Sequence, residues 1–131
     1  MKGFTLLEVL IALVILSVGL LGLAGLQTTG LRNNHSAYLR SQATLLAYDI
    51  ADRIRANKAN MNAYALALSA SAPSGTSVAE TDLNQWLTHV ENRLPEGDAS
   101  VAINNEIVTI QVQWNDSRST TMTSFSMTTG V

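Results

Sequence analysis

From Val9 to Leu26 every residue is apolar or Gly apart from Ser17, and none is charged. About 20 apolar residues cross a hydrocarbon core of roughly 30 Å as a helix. This block and its apolar flanks therefore predict a membrane-spanning helix. A buried core helix is the weaker reading, because a chain this short has too little other surface to cover a helix that is apolar all round. A conventional secretory signal peptide also fits less well, although Gly22-Leu23-Ala24 offers a small-x-small site. The apolar run exceeds the usual 7–15 or so residues, and Met1-Lys2 is all there is of a charged n-region. Beyond Leu31 the pattern becomes amphipathic. Leu31, Tyr38 and Leu45 recur every seven residues, and Leu39, Leu46, Ile50 and Ile54 add a neighbouring stripe. No Pro occurs before Pro73. One helix is expected from Phe4 to about Met61, about 90 Å long at 1.5 Å per residue. Asp49 with Arg53 and Asp52 with Arg55 stand at ion-pair spacing on an exposed helical face.

The periodicity lapses after Met61, and Pro73 and Gly75 mark a connector. Leu83, Trp86, Leu87, Val90 and Leu94 then outline a short amphipathic helix, with Trp86 as a core anchor. Ser77 with Glu80, or Thr81, is its expected cap, and Pro95-Glu96-Gly97 its stop. Ala99–Asn104 reads as a strand and Asn104-Asn105 as a turn. Glu106–Trp114 is the clearest strand, with Val108, Ile110, Val112 and Trp114 alternating with polar residues. A polar loop over residues 115–119 leads to a third strand, Thr121–Thr129, with Phe125 and Met127 facing inward. The expected class is α+β. A three-stranded antiparallel meander packs its Val108–Trp114 face, together with the short helix, on the upper half of the long helix.

The remaining chemistry mostly excludes. The chain has 131 residues, one domain's worth. A net charge of -2 and a pI near 5.5 disfavour a basic nucleic-acid binder. The absence of Cys removes disulfides, thiol nucleophiles and thiolate zinc sites. His35 and His89 fall on different helices, neither with a second His at metal spacing. The Gly cluster lies inside the apolar helix with no strand before it, so it is not a phosphate loop. Arg53 and Arg55 point to different sides of a helix and make no single basic patch. No catalytic set, cofactor, metal or small-molecule substrate is expected. Gly19, Gly22, Gly25 and Gly30 serve either small-residue helix packing or a soft segment, since each lowers helix propensity by about 1 kcal/mol relative to Ala. Glu8 stands out. A carboxylate in an apolar segment costs roughly 2.5–3.5 kcal/mol and tends to be functional where it persists.

Gly3-Phe4-Thr5-Leu6-Leu7-Glu8-Val9, preceded by Lys2, resembles the class III signal of type IV pilins and pseudopilins: a short basic leader ending in Gly, then Phe, an acid four residues on, and an apolar helix. The resemblance implies that prepilin peptidase cuts between Gly3 and Phe4 on the cytoplasmic face and that the new amine of Phe4 is methylated. It also implies that Glu8 pairs with that amine on an adjoining subunit during assembly. Ala47-Tyr48-Asp49-Ile50-Ala51-Asp52-Arg53-Ile54-Arg55-Ala56-Asn57 resembles a segment of the minor pilins called type IV pilus modification proteins. So does Trp86…Leu94-Pro95-x-Gly97 followed by Val-x-Ile-x-Val-x-Trp. The resemblance divides the chain into a leader (1–3), a transmembrane and assembly half of the helix (4–31), a periplasmic amphipathic half (32–62) and the rest of a globular head (63–131). Lys2 with the amine, against Arg32 with Arg40, leaves orientation nearly tied. The family implies a cytoplasmic N-terminus and periplasmic head at the inner membrane, then residence in the pilus near its tip. It implies a minor pilin in pilus initiation and assembly, partnered by the peptidase and by other pilins through the N-terminal helix. A minor pseudopilin of type II secretion and a non-polymerising, signal-anchored envelope protein are the alternatives.

Overall fold

The computed structural model describes residues 3–116 and 120–131. Lys2 of the expected leader and residues 117–119 of the expected polar loop lie outside them. The elements are α1 (Leu6–Ala56), a 3₁₀ segment (Lys58–Tyr64), α2 (Val78–Arg93), β1 (Asp98–Asn104), β2 (Ile107–Trp114) and β3 (Thr123–Gly130). The layout is the expected α+β, pilin-like one. Contacts divide the chain into two compact units, Met1–His35 and Ser36–Val131.

The first unit carries the apolar part of α1. Its large side chains, Leu13, Val14, Leu16, Leu20 and Leu23 among them, are exposed. Its hydroxyls are satisfied inside the helix. Ser17 Oγ donates to the Leu13 carbonyl at 2.7 Å, Thr28 Oγ1 to Ala24 at 3.0 Å and Thr29 Oγ1 to Gly25 at 3.1 Å. Such back-bonding removes most of the cost of a polar group where water is absent. A Cβ at Gly19, Gly22, Gly25 or Gly30 would meet nothing within 4 Å, and the helix runs through all four unbroken. The chain's own packing does not require these glycines.

In the second unit one face of α1 is buried: Leu39, Ala43, Leu46, Ala47, Ile50, Ala51 and Ile54. The expected heptad of Leu31, Tyr38 and Leu45 is not part of it. Tyr38 and Leu45 are 57% and 59% exposed, and Leu31 is exposed too. One step along a helix turns a side chain by about 100°. Residues just before Leu39 and Leu46 therefore leave the face that the head covers.

α1 also stops at Ala56, short of Met61. Asn57 has φ −119° and ψ 38°, and Asn60 departs likewise. The Asn57 N–H is shared between the carbonyls of Arg53 and Ile54, and the Asn60 N–H bonds to the Asn57 carbonyl. Asn side chains compete with the helix for its backbone partners; here Asn60 Nδ2 donates to Asn57 Oδ1 at 2.9 Å. The tighter 3₁₀ turn brings Met61 and Tyr64, three apart, onto one side, and both are buried.

α2 begins before the Leu83 motif. Ser77 and Glu80 form a capping box, each side chain accepting the other's backbone N–H. The Ser77 hydroxyl, which also donates to the Glu80 carboxylate, and then the Ser77 backbone N–H hold that carboxyl below its ordinary range. Their contribution is thus present above that range and lost as the pH falls through the folded value. A Cβ on Gly75 would collide with the Glu80 carboxylate, so the connector's glycine makes room for the cap. Trp86 Nε1 donates to the Leu46 carbonyl at 2.8 Å and ties α2 to α1. At the stop, Glu96 takes φ 50° while Gly97 N–H bonds to the Leu94 carbonyl. Gly97 is needed for another reason: a Cβ there would lie 2.5 Å from the Val90 carbonyl.

The sheet order is β1-β2-β3, antiparallel throughout. Asn104 pairs with Ile107, so the turn is Asn105-Glu106 rather than Asn104-Asn105. Asn105 supplies the left-handed residue at φ 56°, a conformation Asn tolerates well. Val108, Ile110, Val112 and Trp114 are buried and join the α1 face in one core, with Phe125 and Met127 half-buried at its margin. Leu66 and Val101 exchange two 2.9 Å backbone bonds, laying the connector along the outer edge of β1.

A chain beginning at Ser36 should fold alone, with helix and strand by circular dichroism. Trp114→Ala in it should cost about 3–5 kcal/mol in denaturant melts; no loss would place Trp114 outside the core. Trp114 Nε1 has no hydrogen-bond partner among the described residues, whereas Trp86 Nε1 bonds to the Leu46 carbonyl. Trp86→Phe should therefore destabilise by about 1 kcal/mol more than Trp114→Phe.

Candidate functional site

Gly3 and Phe4 precede α1, both exposed, and a Cβ on Gly3 would meet nothing within 4 Å. The peptide between them is open from all sides within the described chain. Thr5 starts the helix. Its Oγ1 accepts the Glu8 N–H at 3.3 Å, and its carbonyl accepts from Glu8 and Val9. Thr5-x-x-Glu8 has the spacing of a capping box, a signal in the sequence that the reading of Glu8 as a lone carboxylate passed over. Glu8 sits in the first turn of α1, where negative charge is favoured by the helix dipole. The chain start therefore presents an accessible Gly–Phe bond and, one turn on, a carboxylate at the edge of an apolar helix.

A second constellation lies at the other end of α1. Arg53 Nε donates to Asp49 Oδ1 at 3.1 Å, and Nη1 reaches Asp82 Oδ1 at 3.1 Å and Gln85 Oε1 at 3.2 Å on α2. Tyr64 Oη donates to the other Asp82 oxygen at 2.6 Å and accepts from Asn57 Nδ2 at 3.3 Å. Arg55 faces another way, pairing with Asp52 at 2.7 Å and reaching Thr129 Oγ1 on β3 at 2.7 Å. Lys58 pairs with Glu106 at 3.0 Å. The two intrahelical pairs expected from the sequence are present. The structure adds their tertiary partners and so changes their role from surface decoration to a clamp. Asp82, Tyr64 and Thr129 were missed because their partners lie 18 to 74 residues away.

Burial works against the Arg53 charge, but the bonds and charges of Asp49 and Asp82 outweigh it and raise its pKa. Burial and then the bond to Asp82 raise that of the Tyr64 phenol. Arg53 and Tyr64 therefore both keep their protons at neutral pH.

His35 is exposed on α1 and His89 half-buried on α2. Among the described residues no cluster of three or more metal-ligating side chains occurs. Asp116, in the expected polar loop, is instead buried, and its Oδ2 accepts from Ser36 Oγ at 2.6 Å.

Asp82→Ala removes an acceptor from both Arg53 and Tyr64 and should cost about 1–3 kcal/mol. Arg55→Ala, at a more exposed pair, should cost less than about 1 kcal/mol. The raised Tyr64 pKa means its contribution is complete below its ordinary value of 10.0 and lost as the pH rises through the folded value. Tyr64→Phe should flatten that alkaline loss in pH-dependent melts.

With this geometry in hand, two sequence families match the chain. The prokaryotic N-terminal methylation motif matches residues 1–24, including Gly3, Phe4 and Glu8. The Tt1218-like family, described as type IV pilin Tt1218, matches residues 25–85, from within the apolar helix through the clamp to Gln85. No curated protein and no solved structure matches. Pilins are structural subunits rather than enzymes. The apolar stretch of α1 is long enough to cross a membrane, with none of it buried inside the protein, as suits a membrane-anchored pilin. Taken together, a methylation motif, a pilin-family match and a long helix bearing a small α+β head mean that the chain belongs to the type IV pilin superfamily.

Proposed function

We propose that this pilin is a minor pilin of the type IV pilus modification kind that takes part in initiating and assembling a type IV pilus. The observation that carries the proposal is the juxtaposition at the chain start. An accessible Gly3–Phe4 bond leads directly into a helix whose apolar surface is left exposed by the described residues. Prepilin peptidase cuts that bond on the cytoplasmic side of the inner membrane, and the amine of Phe4 is methylated. The head stands in the periplasm until the subunit joins the pilus near its tip. The segment from Asp52 to Asn57 favours the pilus over a type II secretion pseudopilus, because it belongs to the stretch that resembles pilus modification proteins.

In lipid, Glu8 is costly and needs a partner. The methylated amine of Phe4 on a neighbouring subunit supplies one. An intermolecular pair of this kind favours the polymer over free diffusion and sets axial register. The exposed Tyr38, Leu45 and Tyr48 extend the surface available to neighbouring pilins beyond the apolar half of α1.

Intact-mass spectrometry of the mature protein should give a chain lacking Met1-Lys2-Gly3 and one methyl group heavier. A chain beginning at Gly25 would mean ordinary signal processing and would overturn the pilin processing route. Glu8→Ala should leave cleavage and head folding intact and lower the protein's content in sheared filaments relative to membranes, with Glu8→Asp intermediate. Equal entry of Glu8→Ala into filaments would remove the pairing role.

A further inference from the structure

α1 is one unbroken helix from Leu6 to Ala56, but its parts are held by different means. From Leu6 to Leu26 every residue is apolar or Gly apart from Glu8 and Ser17. At about 1.5 Å per residue this stretch matches a hydrocarbon core of roughly 30 Å. In lipid a broken backbone bond finds no water to replace it, so the helix stays closed there whatever its intrinsic propensity. A second support begins at Ser36, the first buried residue of α1, and Leu39, Ala43, Leu46 and Ala47 continue it into the core of the head.

Gln27-Thr28-Thr29-Gly30-Leu31-Arg32 lies between the two and has neither support among the described residues. Arg32 carries a charge, which keeps this end of the stretch out of hydrocarbon. Gln27, Thr28, Thr29, Leu31 and Arg32 are exposed, and a Cβ on Gly30 would meet nothing within 4 Å.

The residues placed here also hold a helix poorly. Thr loses side-chain freedom in a helix, and Gly gives up the most backbone entropy; Thr28, Thr29 and Gly30 stand in a row. The Thr28 and Thr29 hydroxyls donate to the Ala24 and Gly25 carbonyls at 3.0 and 3.1 Å. Those carbonyls are the ones that helical geometry assigns to the amides of Thr28 and Thr29 themselves. Sharing an acceptor in this way slightly destabilises a helix and often bends it. Gly19, Gly22 and Gly25 differ from Gly30 because they lie inside the apolar block, where opening the helix leaves polar groups unmatched. At Gly30 water can take the freed N–H and C=O groups.

We propose that Gln27–Arg32 is a swivel built into α1. Its backbone bonds open locally, while the apolar helix before it and the packed helix after it stay closed. Local opening of this kind occurs where packing is least and backbone exposure greatest. An open turn frees several φ and ψ angles, so the head changes direction while the N-terminal part of α1 stays anchored. A head tethered in this way meets its partners at more than one tilt. The support on the N-terminal side rests on the membrane reading of Val9–Leu26; the propensity and exposure of Gln27–Arg32 do not.

Hydrogen exchange of the full-length chain in detergent micelles is the first test. Protection, corrected for intrinsic rates, should be roughly ten-fold lower or more at the amides of Thr29–Arg32 than at those of Leu20–Leu23 and Leu46–Ile50. Thr28→Ala, Thr29→Ala and Gly30→Ala together should raise it by roughly ten-fold and leave Leu46–Ile50 unchanged. Equal protection along all three stretches, or no gain in the variant, overturns the inference. Protection lowest between Gly19 and Gly25 also overturns it, by placing the soft segment inside the apolar block. If all of Val9–Leu26 is as unprotected as Thr29–Arg32, the membrane reading fails and the swivel with it, an outcome distinct from failure of the swivel alone.

The absence of Cys allows a second test with introduced labels. Spin labels at Leu20→Cys and Thr88→Cys, both exposed positions, report their separation by double electron–electron resonance in frozen micelles. The distance distribution should be broad, and roughly two-fold narrower once the three Ala substitutions are added. Labels at Arg40→Cys and Thr88→Cys, both after Ser36, should give a narrow distribution with or without them. A Leu20–Thr88 distribution as narrow as the Arg40–Thr88 one overturns the inference.

Discussion

The buried face of α1, from Leu39 to Ile54, is the surface on which the rest of the head is laid. Its shape matters as much as its apolarity. Ala43, Ala47 and Ala51 recur every fourth residue and are fully buried, so this side of the helix is shallow. That lets the Trp86 indole reach a backbone atom of α1, the Leu46 carbonyl. Leu46, Ile50 and Ile54 meet the inward side chains of β2 in the same core. Larger residues at the alanine positions would hold the neighbouring elements off and leave the Trp86 donor unmatched inside the protein, which costs more than never having placed it there.

That covered face has a counterpart in the uncovered part of the same helix. From Leu6 to Leu26 the large side chains of α1 are exposed, and the helix's hydroxyls at Ser17, Thr28 and Thr29 turn back onto its own carbonyls. A surface built this way is complete only in lipid or against other helices. The four glycines fit the same account, because among the described residues nothing lies within 4 Å of where their Cβ atoms would stand. Glu8 is the exception to the apolar rule, and its place in the first helical turn, three residues after the Thr5 cap, softens its cost by bringing it close to the first-turn N–H groups.

The clamp at the end of α1 joins these themes to the head's cohesion. Arg53 and Arg55 diverge from one helical turn, one toward α2 and the other toward β3. Together with Tyr64 and Lys58 they fasten the point at which the helix breaks into a 3₁₀ turn. Each bond is modest at a partly exposed site, but they act where three elements converge and the apolar core ends.

The helical and strand periods, the membrane-length apolar block, the Gly3-Phe4…Glu8 signature, the Ser77 cap and the Pro95–Gly97 stop were all written in local sequence. Each depends on residues within one or two turns of one another. What the local pattern left open was decided by contacts between distant segments. Tyr38 and Leu45 looked like core by spacing, but which face of an amphipathic helix is covered depends on where the head docks. Absence of Pro predicted helix to Met61, but Asn57 and Asn60 and the burial of Met61 and Tyr64 ended it at Ala56. Asp82, Thr129 and Asp116 carried no mark of their roles, because a polar residue's partner is fixed only when folding brings a charge or hydroxyl from tens of residues away. Periodicity is a property of the chain alone; burial and pairing are properties of two surfaces, and only the tertiary structure supplies the second.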